Sequence, residues 1–168
     1  YEEDKDQRLL KTLDGVPGTA VVYARSRKRT QLIAKKLQAK GISADYYHAG
    51  LTTEERAAKQ DAWIQGKTRV IVATNAFGMG IDKPDVRLVV HLDLPDTLEA
   101  YYQEAGRGGR DEKKAYAVIL YNQNDIDSLT NRVEISFPPV DYLRMVYQNI
   151  ANYLKVAVGS SHLASYEF

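Results

Sequence analysis

The chain has 168 residues, enough for one domain with a short extension and a sizeable core. Its net charge of +1, from 23 Lys and Arg against 22 Asp and Glu, excludes a domain that attracts nucleic acid by bulk charge; phosphate binding must come from local clusters. It has no cysteine, which excludes disulfides and cysteine-ligated zinc within these residues, and no apolar run long enough to cross a bilayer.

The acidic, polar start is unlike a signal peptide, so an intracellular protein is expected, and the opening on Tyr1 reads as a fragment boundary. Leu9, Leu10 and Leu13 predict a first helix over Lys5 to Leu13, stopped by Asp14-Gly15 and Pro17-Gly18. TAVVYA, Thr19 to Ala24, is a buried strand by its β-branched content. Ser26 is then an N-cap, with Leu32, Ile33 and Leu37 on one helix face and Lys40-Gly41 as the stop. A second strand, Ile42 to Tyr47, leads into the turn His48-Ala49-Gly50. Thr52-Thr53-Glu54-Glu55 resembles a capping box for a helix to about Gln65, with Trp63 and Ile64 inward.

Val70 to Thr74 is the third strand, followed by the loop Phe77-Gly78-Met79-Gly80. Leu88 to Leu92 is the fourth. A helix from Pro95-Asp96 through Tyr102 runs into Gly106-Arg107-Gly108-Gly109-Arg110, and Ala115 to Tyr121 is the fifth strand. Beyond it, Asp125 to Val133 reads as a helix and Phe137-Pro138-Pro139 as a break. Leu143, Val146, Tyr147, Ile150 and Leu154 then mark an amphipathic helix, before a polar tail that leads on to a further region. Strands alternating with helices mean an α/β fold with a mainly parallel sheet. The expected division is a domain of residues 1–134 and a helical extension of residues 135–168.

Ligands of such sheets bind outside the carboxyl ends of the strands. Arg25, Ser26, His48, Gly50, Thr74, Asn75 and Gly78 all follow predicted strands. Among the motifs, Gln103-Glu104-Ala105-Gly106-Arg107-Gly108-Gly109-Arg110 is the most specific. Two arginines three apart share a side of a tight turn, glycines admit a close phosphate, and guanidinium forks suit phosphate oxygens. Such a pair is what phosphoryl transfer needs to steady charge; the plain alternative is a solvated basic loop. In Thr74-Asn75-Ala76-Phe77-Gly78-Met79-Gly80-Ile81-Asp82, backbone N–H groups and Thr74 can face a phosphate, and Asp82 can accept from a ribose hydroxyl or simply cap a helix. Arg25-Ser26-Arg27-Lys28 at a helix start is an anion site or merely a capped helix with a basic face. His48 is a weaker candidate of the same kind.

Two look-alikes carry nothing. Gly66-Lys67-Thr68 imitates a P-loop end, but position 61 is Asp and the triplet precedes a strand. His91-Leu92-Asp93 imitates a magnesium-binding strand end, yet Leu94-Pro95 brings no catalytic acid, so Leu88 to Asp93 reads as a core strand. Three scattered histidines, His48, His91 and His162, suggest no metal site.

VIVATNAFGMGIDKPDVR, then HLDLP, then YYQEAGRGGRD, resembles the RecQ branch of the superfamily 2 helicases, and VVYARSRKRTQLIAKKL and YHAGL lie where that family has its other second-domain motifs. The resemblance spans roughly Gly18 to Tyr121. It implies a three-layer RecA-like domain, the second of two that clamp ATP and move 3′ to 5′ along single-stranded DNA in repair and recombination. It implies Arg110 as arginine finger, Arg107 as its companion, Gln103, Gly106, Asp82 and Gly80 on the nucleotide side, and Ser26, Arg27, His48, Thr74 and Asn75 toward the DNA backbone. ATP would be the cofactor, its magnesium held by the absent first domain. Partners would be single-stranded and duplex DNA and that first domain, with no membrane. The protein would be a monomer, cytoplasmic at the nucleoid in a bacterium or nuclear in a eukaryote. Many relatives continue into a four-cysteine zinc region; no cysteine follows Tyr121 here, and no zinc is expected in this chain. The competing expectation is an ATP-independent nucleic-acid-binding module, or a scaffold from a degenerate helicase.

Overall fold

The structure, a computed structural model, describes residues 2–78 and 81–155. Eleven elements follow one another among them: α1 (Glu2–Gly15), β1 (Thr19–Tyr23), α2 (Arg27–Ala39), β2 (Ala44–Tyr47), α3 (Thr53–Ile64), β3 (Val70–Ala73), β4 (Val86–His91), α4 (Leu98–Ala105), β5 (Tyr116–Ile119), α5 (Gln123–Ser136) and α6 (Val140–Leu154). The five strands form one sheet in the order β2-β3-β1-β4-β5, and every pairing is parallel. Two compact units divide the chain, Tyr1–Asp127 and Ser128–Phe168.

The period-2 alternation of the strands sorts their side chains into two layers. Ala20, Val22, Val70, Val72, Leu88 and Val90 face one way and bury Leu9 and Leu13 of α1 and Ile33 and Leu37 of α2. Val21, Tyr23, Ile71, Ala73 and Val89 face the other way, onto Trp63 of α3 and Phe77. Both faces of the central strands are therefore dry, as parallel sheets require. The result is the three-layer RecA-like arrangement.

Local chemistry sets the helix starts. Ser26 accepts from the Arg29 N–H at 3.1 Å. Thr52 accepts from the Glu55 N–H at 3.1 Å while the Glu55 carboxylate accepts from the Thr52 N–H at 2.9 Å, a complete capping box. Arg69, just before β3, donates to the carbonyls of Leu13, Val16 and Gly18, closing the end of α1 with a cation.

Several expectations need correction. α1 extends beyond Lys5 to Leu13 at both ends, and Lys5 is buried, reaching the Leu92 carbonyl at 2.9 Å and Asp125 at 2.5 Å. Ile64 is 37% exposed, because only Trp63 at that helix end turns inward. β2 starts at Ala44 and β4 already at Val86. α4 starts at Leu98 rather than Pro95, since Thr97 supplies the cap to Ala100 N–H at 3.1 Å. In the second unit, α6 runs from a Pro139 cap to Lys155, and its Leu143, Tyr147 and Ile150 are about half exposed. The polar tail and His162 lie outside the described residues.

Candidate functional site

The chain leaves β1 toward β2 on one side of the sheet and leaves β4 toward β5 on the other. The winding thus reverses between the adjacent strands β1 and β4, where open parallel sheets hold ligands. A cleft of about 270 Å³ opens there, lined by Arg25, Asn75, His91, Asp93, Asp96 and Glu104 among others.

The glycine-arginine segment hangs off the end of α4. Gly106 closes the helix, and the chain then turns so that Gly109 N–H donates to the Val86 carbonyl at 2.9 Å and Asp111 N–H to Pro84 at 3.2 Å. These two bonds pin the turn to the start of β4. Both arginines reach the loop after β3, at different places. Arg110 donates to Asp82 at 2.9 Å, and its Nε reaches the Gly106 carbonyl at 3.4 Å. The pair is open to solvent, with side chains 40% and 80% exposed. Asp82 is thus the partner of Arg110 and, among the described residues between β3 and β4, it caps no helix.

Arg107 is held differently. Its guanidinium lies across the backbone of Gly78, so that a Cβ there would collide with it. Its cation acts on the nearby Tyr23 phenol, whose hydroxyl donates to the Phe77 carbonyl at 3.2 Å. Burial pushes the Tyr23 phenol up to about 12, with the Arg107 cation pulling the other way. The Arg107 Nε is buried and makes no hydrogen bond among the described residues. Gln103 is exposed on α4, and Gly106 sits at its end; Gly80 lies outside the described residues.

The residues expected toward a nucleic-acid backbone sit on the loops after β1, β2 and β3, three neighbours in the sheet. Arg27 is exposed and lies over Gly50, whose Cβ would stand 2.7 Å from the Arg27 Nη1. The turn after β2 thereby seats the first residue of α2. Ser26 uses its hydroxyl oxygen for the helix cap. His48 is buried at 5% exposure, hydrogen-bonded through Nε2 to Gln31 at 3.1 Å and stacked on Tyr46. Thr74 is also buried, its hydroxyl accepting from Ala76 N–H at 3.4 Å. Asn75 is exposed at the cleft. Of these five, Arg27 and Asn75 therefore present free polar groups outward, while Ser26, His48 and Thr74 shape the loops.

The basic cluster Arg25 to Arg29 is less of an anion site than its composition suggests. Arg25 donates to Asp96 at 2.9 Å and to the Leu94 carbonyl at 3.0 Å, and Arg29 faces Asp93 at 3.5 Å. Both carboxylates stand on the loop after β4, more than sixty residues away in sequence. The strand His91 was expected to serve only the core. It does lie in the core, 1% exposed, but its Nε2 meets the Glu104 carboxylate at 2.8 Å. A lone polar residue ending a run of buried apolar ones was the available signal.

The helicase conserved C-terminal domain family matches residues 4–112. A RecA-like motor domain is the class that the sheet order and the paired arginines define, and relatives narrow it. The ATP-dependent DNA helicase RecQ of Pasteurella multocida is 50% identical over 120 residues, 71% of this chain and 19% of that protein. A putative ATP-dependent DNA helicase Q1 of Caenorhabditis elegans is 40% identical over 162 residues, 95% of this chain and 25% of that protein. Among solved structures, the RNA helicase Prp28 from Chaetomium thermophilum bound to ADP aligns with a TM-score of 0.67 and 31% identity, covering 80% of this chain and 34% of that one. Dbp5 of Saccharomyces cerevisiae bound to RNA and ADP BeF3 aligns with a TM-score of 0.65 and 27% identity, covering 82% and 37%. The chain belongs to the helicase conserved C-terminal domain family, in its RecQ-type branch. It spans a quarter or less of the length of the curated relatives it matches.

Proposed function

We propose that this chain is the second motor domain of an ATP-dependent, 3′-to-5′ DNA helicase of RecQ type, with residues 1–134 as the motor domain and 135–168 as its extension. The observation that carries the reading is the convergence of Arg107 and Arg110 on one loop at the carboxyl ends of a parallel sheet. A first domain of the same protein would bind the ATP phosphates and the magnesium ion; among the described residues here no group of His, Asp and Glu could hold a metal.

Arg110 then crosses to the γ-phosphate and steadies charge as it develops, and Arg107 holds the closed interface or a phosphate oxygen. Gln103, Asp82, Gly80 and Gly106 border the nucleotide. Arg27 and Asn75, on loops shaped by Ser26, His48 and Thr74, track the DNA backbone without reading sequence. Alone, the domain folds as a monomer and turns over no ATP. The working protein acts wherever the DNA is, at the nucleoid or in the nucleus. An ATP-independent nucleic-acid-binding module is favoured less, because Arg25 and Arg29 face carboxylates in place of free phosphate.

The test is to mix this chain with the separately expressed upstream segment of the same protein and measure ATP hydrolysis with and without single-stranded DNA. DNA-stimulated turnover should appear on mixing and fall about a thousandfold with Arg110→Ala. Two folded, associated halves without activity would support the binding-module reading instead.

A further inference from the structure

We propose that His91 and Glu104 form a positioning pair that aims Arg107. This rests on the motor-domain reading above and adds residues to which neither the motif nor the fold assigns a role. Glu104 is bonded in two directions within one turn. Its carboxylate meets the His91 Nε2 at 2.8 Å, and its backbone carbonyl accepts the Arg107 N–H at 3.3 Å. The position of Arg107 relative to the sheet is thereby tied to an imidazole on a central strand.

That imidazole is itself well fixed. β4 pairs with β1 at Tyr23 and with β5 at Ile119 on either side of His91. The ring stacks on Tyr23 at 5.3 Å with an interplanar angle of 22°, and Tyr101 of α4 packs against it at 5.4 Å. The Tyr23 hydroxyl donates to the Phe77 carbonyl beside Gly78, and the Arg107 guanidinium lies across the Gly78 backbone. Arg107 is thus tied to this cluster at its backbone through Glu104, while its guanidinium lies over Gly78, next to the carbonyl that accepts from Tyr23. A buried polar pair costs stability unless it is fully bonded, and apolar side chains would fill this space as well. A bond linking a central strand to the turn that carries Arg107 supplies orientation, which apolar packing specifies less sharply.

The experiment compares Glu104→Ala and Glu104→Gln in the full-length protein. The glutamine amide can still bond His91 Nε2 in either tautomer. Glu104→Ala should lower kcat for DNA-stimulated ATP hydrolysis by about tenfold to a hundredfold, the cost of misplacing a group by around 1 Å, with KM for ATP changed less. Glu104→Gln should recover most of the loss. Amide exchange across Gly106 to Asp111, read by mass spectrometry without nucleotide, should quicken in Glu104→Ala and return in Glu104→Gln. Wild-type kcat in Glu104→Ala overturns the proposal. So does a loss equal in both variants, or one that tracks only a lowered melting temperature. If Arg110→Ala also leaves turnover intact, the motor reading itself has failed, whereas the exchange result stands independently of it.

Discussion

Replacing Gly78 by alanine probes how Arg107 is held. Gly78 has φ +154°, a backbone region that residues with a Cβ rarely adopt, and its missing side chain is the floor under the Arg107 guanidinium. Two costs follow. Holding alanine in that backbone region costs about 1–3 kcal/mol. Arg107 must also swing off its seat, at about 0.5–1.5 kcal/mol for a strained rotamer. Unfolding stability should therefore fall by about 1.5–4.5 kcal/mol, a loss the fold survives. Under the proposed function, activity should suffer more, because a displacement of about 1 Å at a group in the reacting site costs about a hundredfold in rate. Urea unfolding of this chain and DNA-stimulated ATP hydrolysis by the full-length protein measure the two separately. Activity within about threefold of wild type, with the expected stability loss, would show that Arg107 does not need its seat and would refute the reasoning.

Other perturbations give distinct outcomes. The Tyr23 phenol titrates near 12 in the fold against about 10 when unfolded, so the folded state holds the proton more tightly. Its contribution is complete below pH 10 and is lost as pH rises from 10 to 12, by roughly 2–3 kcal/mol; Tyr23→Phe should flatten that part of the alkaline limb relative to wild type. Lys5→Met leaves Asp125 and the Leu92 carbonyl without their buried ammonium partner and should cost about 3 kcal/mol, read as a lower urea midpoint. Asp82→Asn breaks an exposed pair and should change stability by less than about 1 kcal/mol.

Features legible in the sequence were those decided within a few residues or by simple periodicity. Ser26 and the Thr52–Glu55 box announce their helices because the capping partner is three positions away. The strands announce themselves because both faces are buried, leaving VVY and VIVA without polar interruptions. What stayed hidden depends on strand order. The basic stretch that opens on Arg25 can be read as an anion site until β4 is placed beside β1, bringing Asp96 against Arg25 and Asp93 against Arg29. The parallel sheet also explains why His91 looked like plain core and which residues Arg107 and Arg110 reach. Each answers to a residue on another loop, Glu104, Gly78 or Asp82, and spacing along the chain says nothing of those distances.

The contrast between the two arginines bears on how such a site can work. Arg110 is held by an exposed ion pair, worth about 0.2–1 kcal/mol, and by a long bond from its Nε to the Gly106 carbonyl, so in the proposed motor a phosphate oxygen would outcompete Asp82 for it. A charge-assisted bidentate contact to phosphate is stronger than that pair, and leaving Asp82 costs little. Arg107 sits against Gly78 and Tyr23 with its Nε buried, and moving it disturbs packed core on β1. A mobile cation and a fixed one on the same loop suit different tasks. In the proposed motor the fixed one would define where an incoming phosphate surface docks, and the other would complete its reach only once that surface has arrived. Strengthening the hold on Arg110, by burying its pair with Asp82, would therefore slow the domain rather than improve it.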